Sequence, residues 1–588
     1  MKALFNKTVL RKDITRFAPL WGLYTVFMLL SLLLTWSFAT TSAMFANSAQ
    51  GFFNIMGVIN LGYAFLCGLL LFGDLNKPRM CNMLHAMPLR REGWFLTHTV
   101  SGMLFCLVPN LLGTGIAALM LGSYAYLALM WLAMTVMQFL FFFGLTAFCA
   151  QCAGNPLGTT AVYLIVNFLA AFFTFIVTTL YEPLLYGVII DGVSVRELFC
   201  PVVAFSTNYI ITDYDNQTAT TLIREIPAQP WIYTGVAAGV GILLLVVAVV
   251  LYRKRHLECA GDMIAWRPVA PVFLIVYTLV LGTIHYLIAS FSGPLAYFIL
   301  FVGIFIGFFT GFMMLEKRVH VFRGKHFLGF GILATALTIS LIVTAADPIG
   351  ITRRVPEVSQ VEQVTIAPYE IRYSYDRTCV LTDPEDIAAV VEMHKDACVN
   401  PPDYSEPTRS VCLKYKLKNG TTLYREYDIP EHLGYYPLLD SFYSRPQYVL
   451  GTSDLDQLMD TMLSLEFYAY NEGEGVLPYI YIGREADDYH PDSKTYYGEA
   501  LVEQYTDDFR DHKVATELMN AIYADCQAGL LEQEYYDNDA VGHMEISYLA
   551  DGYYHYIDIT LWDVSENTIA YMKDLAETLK AQEAATQN

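Results

Sequence analysis

The sequence predicts an α-helical polytopic membrane protein with about nine transmembrane helices, followed by a soluble α+β domain. Of its 588 residues, 55% are hydrophobic and only 16% are charged, and the mean hydropathy is +0.38. This balance is typical of membrane proteins. The charge is also divided, because residues 1–348 contain 19 Lys and Arg against 13 Asp and Glu, whereas residues 349–588 contain 17 against 44. The long apolar runs all lie in the first part.

Nine apolar runs are long enough to cross a membrane as helices, because a hydrocarbon layer of about 30 Å needs about 20 residues. The first run is too long for the apolar part of a cleaved signal peptide, which has about 7–15 residues. The predicted spans cover residues 17–40, 52–75, 97–121, 124–149, 157–182, 231–252, 269–290, 294–315 and 327–346.

The distribution of Lys and Arg predicts the orientation, because basic connectors stay in the cytoplasm. Basic residues are concentrated in the N-terminal segment and in the connectors after the second, sixth and eighth spans. If the spans alternate, these four segments lie on one side, and the connectors on the other side are neutral or acidic. Nine crossings from a cytoplasmic N-terminus then place residues 349–588 beyond the membrane, as an extracytoplasmic domain.

Two sets of glycines four residues apart predict close helix packing, since small residues let helix backbones approach in lipid. We expect packing within one chain, and a seam between two copies is the alternative. No span contains a central row of charged residues, which argues against a proton- or ion-coupled transporter. The glycines are Gly235, Gly239, Gly303, Gly307 and Gly311.

The connector after the second span is rich in functional side chains for so apolar a chain. Its segment "RMCNMLHAM" predicts a short amphipathic helix at the membrane interface, and Pro88 ends it. Arg90 and Arg91 follow on the cytoplasmic side, and Trp94 suits the level of the lipid headgroups. The alternative is an anchor that serves only to orient the spans.

Three segments resemble ABC-2 type permeases, in which the first intracellular loop docks a short helix on the ATPase subunit. That resemblance assigns ATPase coupling to His85, Met87, Pro88, Leu89, Arg90 and Arg91. A second cytoplasmic segment resembles the family at Arg253, Lys254, Arg255, Glu258, Ala260 and Gly261. The opening "MKALFNKTVLRKDITRF" resembles the interfacial N-terminal helix of the family.

The resemblance covers about residues 1–265, the usual six-span permease unit. The three additional helices of residues 266–348 and the acidic domain of residues 349–588 resemble a Gram-positive subgroup with a C-terminal extracytoplasmic domain. The resemblance implies a permease subunit of an ATP-binding cassette exporter in a bacterial cytoplasmic membrane, moving a drug, lipid or peptide-like substrate. Its expected partners are a cytosolic ABC ATPase subunit, a second permease chain, alike or different, and membrane lipid.

Several function classes are disfavoured. The sequence contains no GxxxxGK[ST] phosphate loop, so ATP hydrolysis is expected in the partner and not in this chain. We expect no catalytic residues, metal or cofactor, and the acidic C-terminal region argues against nucleic acid. A membrane-anchored sensor or ligand-binding protein that acts through its outer domain is the alternative from another class, and an enzyme that acts through that domain is the least favoured.

The C-terminal region predicts two hairpins, with turns at Asn419–Gly420 and Asp551–Gly552, each preceded by a helical stretch. The recurrence suggests an internal duplication, and chance is the alternative. Acidic clusters at 485–492 and 537–539 are expected to be solvated loops, because neither fits a calcium-binding loop. Four cysteines of this region, Cys379, Cys398, Cys412 and Cys526, permit three disulfide pairings.

Overall fold

The computed structural model of the chain divides into two compact units. The first consists of residues 1–184 and 191–346, and the second of residues 185–190 and 347–588. A short connector between two apolar helices therefore belongs to the same unit as the C-terminal region. The structure describes residues 5–39, 41–86, 90–190, 199–215, 220–255, 257–293, 295–368, 378–402, 406–443, 445–449, 479–483, 512–528, 540–550, 553–562, 567–568 and 570–571.

The first unit is built mainly from long apolar helices. In chain order its α-helices are α1 (Lys7–Arg16), α2 (Ala18–Phe38), α3 (Ser42–Asn47), α4 (Ala49–Leu71), α5 (Pro78–Ala86), α6 (Arg91–Leu121), α7 (Ala125–Cys152), α8 (Pro156–Ile176), α9 (Pro201–Phe205), α10 (Ala228–Lys254), α11 (Val269–Ile288), α12 (Leu295–Glu316) and α13 (Gly324–Ala346). One antiparallel hairpin joins β1 (Ile211–Asp215) to β2 (Thr220–Glu225).

Eight uninterrupted helical runs of the described residues are long and apolar enough to cross a membrane. One of them, Arg91–Cys152, has 62 residues, and as a straight helix it would be about 90 Å long. The chain turns instead at Gly122, whose positive φ of 57° favours glycine, and α6 packs against α7. The described residues thus contain nine apolar helices of at least 20 residues within these eight runs.

The third predicted span begins six residues too late. Helix α6 begins at Arg91, so Arg91 and Trp94 belong to the helix and not to the connector. Trp94 is only 5% exposed and packs against His98 and Tyr252, with ring centroids 4.1 and 5.6 Å apart. The indole of Trp94 therefore fills the core between α6 and α10 and does not lie on a surface open to lipid.

The connectors after α2, α6 and α8 meet at one end of the first unit. There the hydroxyl of Thr221, on β2, donates to the carbonyl of Ala43, and its amide donates to Tyr124. The hydroxyl of Thr212 on β1 donates a hydrogen bond to the side-chain oxygen of Asn47 at 2.9 Å. The connectors after α7, α10 and α12 are joined to one another instead, because Asp262 accepts a backbone hydrogen bond from Gly154 and forms an ion pair with Lys317.

The two glycine sets behave differently. Gly303, Gly307 and Gly311 on α12 pack against α11, where an added methyl group would crowd His285, Thr278 and Leu274, respectively. These glycines therefore serve packing within the chain, as predicted. Gly235 and Gly239 on α10 have no other atom within 4 Å of an added methyl group, so their face is not covered by the described part of the chain.

The second unit is an α+β domain with two described sheets. Its helices are α14 (Pro384–Val399), α15 (Tyr436–Tyr443), α16 (Pro446–Val449) and α17 (His512–Ala528). Its strands are β3 (Val361–Ala367), β4 (Cys379–Leu381), β5 (Thr408–Leu417), β6 (Thr422–Pro430), β7 (Tyr479–Gly483), β8 (Ala540–Ala550) and β9 (Tyr553–Trp562). The strand orders are β4-β3-β5-β6 and β7-β8-β9, and the described neighbours are all antiparallel.

Both predicted hairpins and both preceding helices are confirmed. Gly420 has a φ of 82°, and β5 pairs with β6 on either side of it. Strand β8 pairs with β9 from Ala550 and Tyr553 outward, and the turn at Asp551–Gly552 lies outside the described residues. The predicted acidic loops at 485–492 and 537–539 also lie outside them. All eleven cysteines are free, so none of the three possible disulfide pairings is formed.

Candidate coupling site at the basic end of the helical unit

The N-terminal helix α1 is tied to α6 through a buried carboxylate. Asn6 caps α1 by accepting hydrogen bonds from the amides of Thr8 and Val9. One turn before its end, Asp13 is 3% exposed and accepts a hydrogen bond from the Ser101 hydroxyl at 2.8 Å. The Nδ1 atom of His98 lies 2.7 Å from the same carboxylate. A buried carboxylate needs such partners, so these contacts fix the rotation of α1.

A second ion pair joins α1 to the segment that follows α4. The guanidinium of Arg16 donates to both oxygens of Asp74, at 3.1 and 3.3 Å. Paired N–H donors and carboxylate oxygens fix orientation as well as distance. The start of α1 is held too, since the Asn6 amide donates to Thr97.

The predicted amphipathic helix is present as α5. Cys81 is buried on its inner side, whereas Arg79 and Met83 are exposed. Of the predicted coupling residues, His85 lies on α5, and its side chain is outside the described set. Met87, Pro88 and Leu89 also lie outside the described residues. Arg90 is the exposed N-cap residue of α6.

Arg91 binds the end of helix α10 inside this chain. Its guanidinium donates to the carbonyl oxygens of Tyr252, Arg253 and Arg255, at 3.4, 3.2 and 3.4 Å. The last carbonyls of a helix lack partners within the helix and carry partial negative charge, so a guanidinium stabilises them. Next to it, Glu92 forms an ion pair with Arg253 at 2.9 Å. The two predicted cytoplasmic segments are therefore in direct contact.

Arg255 extends this contact to the last turn of α7. Its guanidinium donates to the carbonyl of Ala150 at 2.6 Å, and burial lowers the pKa of the Arg255 side chain. Lys254 and Glu258, also predicted here, are exposed. The predicted second segment thus has one half-buried arginine that holds it in place and a polar surface beside it.

The backbones of residues 152–155 and 259–266 pair closely. Gly261 donates to the carbonyl of Gly154 at 2.6 Å, and Gly154 donates to Asp262 at 3.0 Å. Gly261 has a φ of 94°, which explains the glycine in the predicted motif. A methyl group on Gly154 would overlap the carbonyl oxygen of Cys259. Glycine is therefore required on both sides of this contact.

We call the sequence ranges 1–17, 72–98, 150–157, 253–268 and 316–326, whose described residues make these contacts, the basic end. These ranges contain 17 basic and 6 acidic residues, whereas the rest of residues 1–348 contains two basic and seven acidic ones. The exposed side chains at this end include Lys77, Arg79, Arg90, Arg253 and Lys254. The basic end therefore offers a cationic surface on a framework held by internal bonds.

The sequence did not reveal a buried polar chain between four elements of the helical unit. Asn60 on α4 donates to Gln138 on α7, and Gln138 donates to the hydroxyl of Tyr209. That hydroxyl lies 2.7 Å from the hydroxyl of Thr234 on α10. All four residues are fully buried. Uncharged amides and hydroxyls spread over the chain give no local motif, and only their positions within apolar runs distinguish them.

A second buried polar cluster lies in the α+β domain. The two ring nitrogens of His394 lie 3.0 and 3.1 Å from the hydroxyls of Tyr415 and Tyr427. His394 has no exposed surface. Burial, and then the positive charge of Arg425, lower the pKa of His394 to about 3. Its imidazole is therefore neutral in the folded domain at every physiological pH.

We expect His394 to make the α+β domain sensitive to acid. The unfolded chain takes up a proton here below about pH 6.5, whereas the folded domain does not until about pH 3. The contribution of His394 to the free energy of unfolding is therefore constant above pH 6.5. Below pH 6.5 it lowers that free energy by about 1.4 kcal/mol per pH unit. Amide exchange of β5 in the full chain, corrected for intrinsic rates at pH 7 and pH 5, measures the effect.

His394→Gln should flatten this pH dependence while lowering stability at pH 7, since two tyrosine hydroxyls lose good partners. His432→Gln is the matched control, because His432 is an exposed histidine of the same domain. If His394→Gln and the parent chain lost protection equally between pH 7 and pH 5, a neutral buried His394 would be ruled out.

Among the described residues, no group of three or more His, Cys, Asp or Glu is placed to hold a metal ion. Comparison with known proteins adds no identity: no protein-family model, curated protein or solved structure matches the chain.

Proposed function

We propose that this chain is a membrane-spanning permease subunit of an ATP-binding cassette exporter. It moves a drug, lipid or peptide-like substrate with ATP hydrolysed by a separate cytosolic subunit. The observation that carries the proposal is the contact of Arg91 with the end of α10, because it joins the two segments that resemble the ATPase-binding and second cytoplasmic segments of ABC-2 permeases.

The charge distribution supports a cytosolic basic end. Connectors rich in Lys and Arg stay on the cytosolic side, and 17 of the 19 such residues of positions 1–348 belong to this end. The C-terminal domain then lies outside the cell. Its connector, residues 185–190, leaves the helical unit after the fifth apolar helix, and the domain itself follows the ninth. Both numbers are odd, so both segments emerge on the same side.

The bonds at the basic end supply a mechanical path. A force on exposed Arg90 acts on the first residue of α6, and Arg91 passes it to the end of α10. Arg255 then carries it to the last turn of α7. Side chains anchored on helices transmit displacement better than solvated loops, because packed elements have few alternative arrangements.

The open face of α10 supports a pair of permease chains. Gly235 and Gly239 lie four positions apart and are uncovered, and their neighbours Ile232, Val236 and Leu243 are exposed as well. Small-xxx-small faces with flanking apolar residues bind a second helix in lipid. Gly303 and Gly307 do not offer such a face, since α11 already covers them.

A sensor or ligand-binding protein is the second candidate. One observation favours it, namely that the C-terminal domain incorporates residues 185–190 from between two apolar helices. A ligand that changes this domain would then act on the helical unit through two chain segments and not through one tether. This candidate predicts that no ATPase associates with the chain.

Purification of the full chain from its native membranes in mild detergent tests the proposal. We expect mass spectrometry to identify an ABC ATPase, and the particle mass to correspond to two permease chains with two ATPase subunits. Arg90→Glu should weaken ATPase binding at least about tenfold, since a reversed charge on a cationic surface repels an acidic partner.

Lys395→Glu is the matched control, because it changes the net charge equally on an exposed position of the other unit. A chain purified without any ATPase would refute the permease proposal, and a particle with one permease chain would refute the pairing. Equal ATPase affinity in Arg90→Glu and the parent would remove Arg90 from the docking surface.

A further inference from the structure

The outer edge of the four-stranded sheet, formed by β6, pairs with residues 185–190, a connector between two apolar helices. Strand β6 is the last strand of the order β4-β3-β5-β6. The amide of Glu426 on β6 donates to the carbonyl of Gly187 at 3.2 Å, and Val188 forms an antiparallel bridge with Arg425. An edge strand with unpaired backbone groups binds extended segments, and here residues 185–190 occupy it.

Side chains hold this connector on both sides of the bridge. The rings of Tyr186 and Tyr427 pack edge to face, with centroids 5.5 Å apart. Ile189 is 8% exposed and packs with Ala367 and Tyr424 in a small cluster separate from the main core of the domain. The connector is therefore seated by apolar contacts as well as by backbone pairing.

Gly187 fits only as glycine. Its φ is 71°, and an added methyl group would overlap the ring of Tyr427. That ring is 1% exposed, and its hydroxyl lies 3.1 Å from His394 and 3.2 Å from the thiol of Cys398. The ring is buried and its hydroxyl is hydrogen-bonded, so it cannot move aside for a methyl group without losing these contacts.

The same strand binds the segment that leaves α13. The guanidinium of Arg425 is 1% exposed and donates to the carbonyls of Ile351 and Arg354, at 2.9 and 3.3 Å. Cys398 donates to the carbonyl of Thr352 at 3.5 Å. Arg425 and Glu426, which are neighbours on β6, thus bind both chain segments that connect the domain to the helical unit.

The helices from which these two segments emerge are in contact with each other. After α8 the chain forms a π-helical turn, Val177–Tyr181, a rare arrangement that is frequent at functional sites. The hydroxyl of Tyr181 lies 2.9 Å from that of Ser340 on α13, and Leu180 is fully buried against Leu337 and Leu341. Movement at either exit therefore acts on one packed pair of helices.

We propose that residues 185–190 are a latch: the β6 edge binds this connector as an added strand, and its release loosens the π-helical turn at the end of α8. Through this latch, a conformational change in the C-terminal domain acts on the end of α8 along the continuous chain. This inference does not depend on the transport function, since it follows from the contacts of β6 and the continuity of the chain.

Amide exchange of the full chain in lipid nanodiscs tests the latch, with Gly187→Ala as the opening variant. We expect exchange in residues 185–190 and in β6 to rise about tenfold, as for a local opening. Exchange in residues 177–184 should rise as well, while β3 and β5 keep their protection. Gly434→Ala is the matched control, because Gly434 has a φ of 72° in the same domain and nothing within 4 Å of an added methyl group.

Unchanged exchange in residues 185–190 of Gly187→Ala would overturn the latch. Faster exchange there and in β6, with residues 177–184 unaffected, would overturn the transmission and leave only a static cover of the sheet edge. If Gly187→Ala unfolds the whole domain, Ile189→Ala decides between the same outcomes, since Ile189 lies outside the main core.

Discussion

Replacing Gly158 by alanine is expected to destabilise the helical unit by about 3 kcal/mol, the upper range for overpacking. Gly158 is the third residue of α8, and an added methyl group would overlap the carbonyl oxygen of Met263. The obstacle is backbone and not a mobile side chain, so relief requires the connector after α10 to move away. Thermal unfolding in detergent should show a melting temperature lower by about 5 °C or more.

Gly51→Ala provides the matched control for this prediction. Gly51 is also the third residue of a long helix, α4, and nothing lies within 4 Å of an added methyl group there. Alanine favours a helix over glycine by about 1 kcal/mol, so this variant should be neutral or slightly stabilised. Equal melting temperatures for the two variants would show that the close approach of Gly158 and Met263 does not form.

If the proposed function holds, replacing Arg91 by alanine should weaken the link between the start of α6 and the end of α10 while leaving the proposed ATPase partner bound. The variant loses every guanidinium bond to the end of α10 and about 1–2 kcal/mol of stability, since hydrogen bonds from charged groups are the stronger ones. Arg90, the proposed docking residue, is unchanged and stays exposed. The two variants should therefore have different effects. Arg90→Glu should weaken binding of the proposed ATPase, and Arg91→Ala should weaken transmission of its movement to the end of α10.

The measurement uses the complex with the proposed ATPase partner, trapped by ATP and vanadate. In the parent chain, trapping should change amide exchange in residues 253–261, and in Arg91→Ala that change should fall about tenfold. Arg91→Lys should be intermediate, because an ammonium keeps the charge but cannot reach several carbonyls with a fork of donors. A full response in Arg91→Ala would show that Arg91 is not on the transmission path.

The elements that were predictable from sequence have local causes. The apolar runs define the long helices by composition alone, and Asn419–Gly420 defines its hairpin because glycine allows the positive φ of the turn. Helix α5 was predictable from periodic apolar positions ended by Pro88. Each of these decisions depends on residues within one or two turns of each other.

The hydrogen bonds and ion pairs of the basic end were not predictable, because they join residues that are far apart in the sequence. Arg91 reaches Arg253 across 162 positions, and the sequence suggested instead that Arg91 was available to a partner. Asp13 offered one usable indication. It lies with Leu10, Ile14 and Phe17 on the face of α1 that repeats every three to four residues, where an acidic residue needs a buried partner.

The latch had even less support in the sequence. Residues 185–190 are an unremarkable apolar stretch with one glycine, and nothing local shows that they pair with β6, some 240 positions later. Strand pairing at such separation depends on which edge the rest of the domain leaves open. The fold of the C-terminal domain has to be known before the role of Gly187 can be recognised.

The orientation of the chain is tested most directly by thiol labelling in intact cells. Lys12→Cys places a thiol on the exposed side of α1, and Val399→Cys places one at a residue of the C-terminal domain that is 74% exposed. A membrane-impermeant maleimide should label position 399 in intact cells and position 12 only after permeabilisation, with the parent chain as background. Labelling of both positions under the same condition would mean an even number of crossings and would contradict the account.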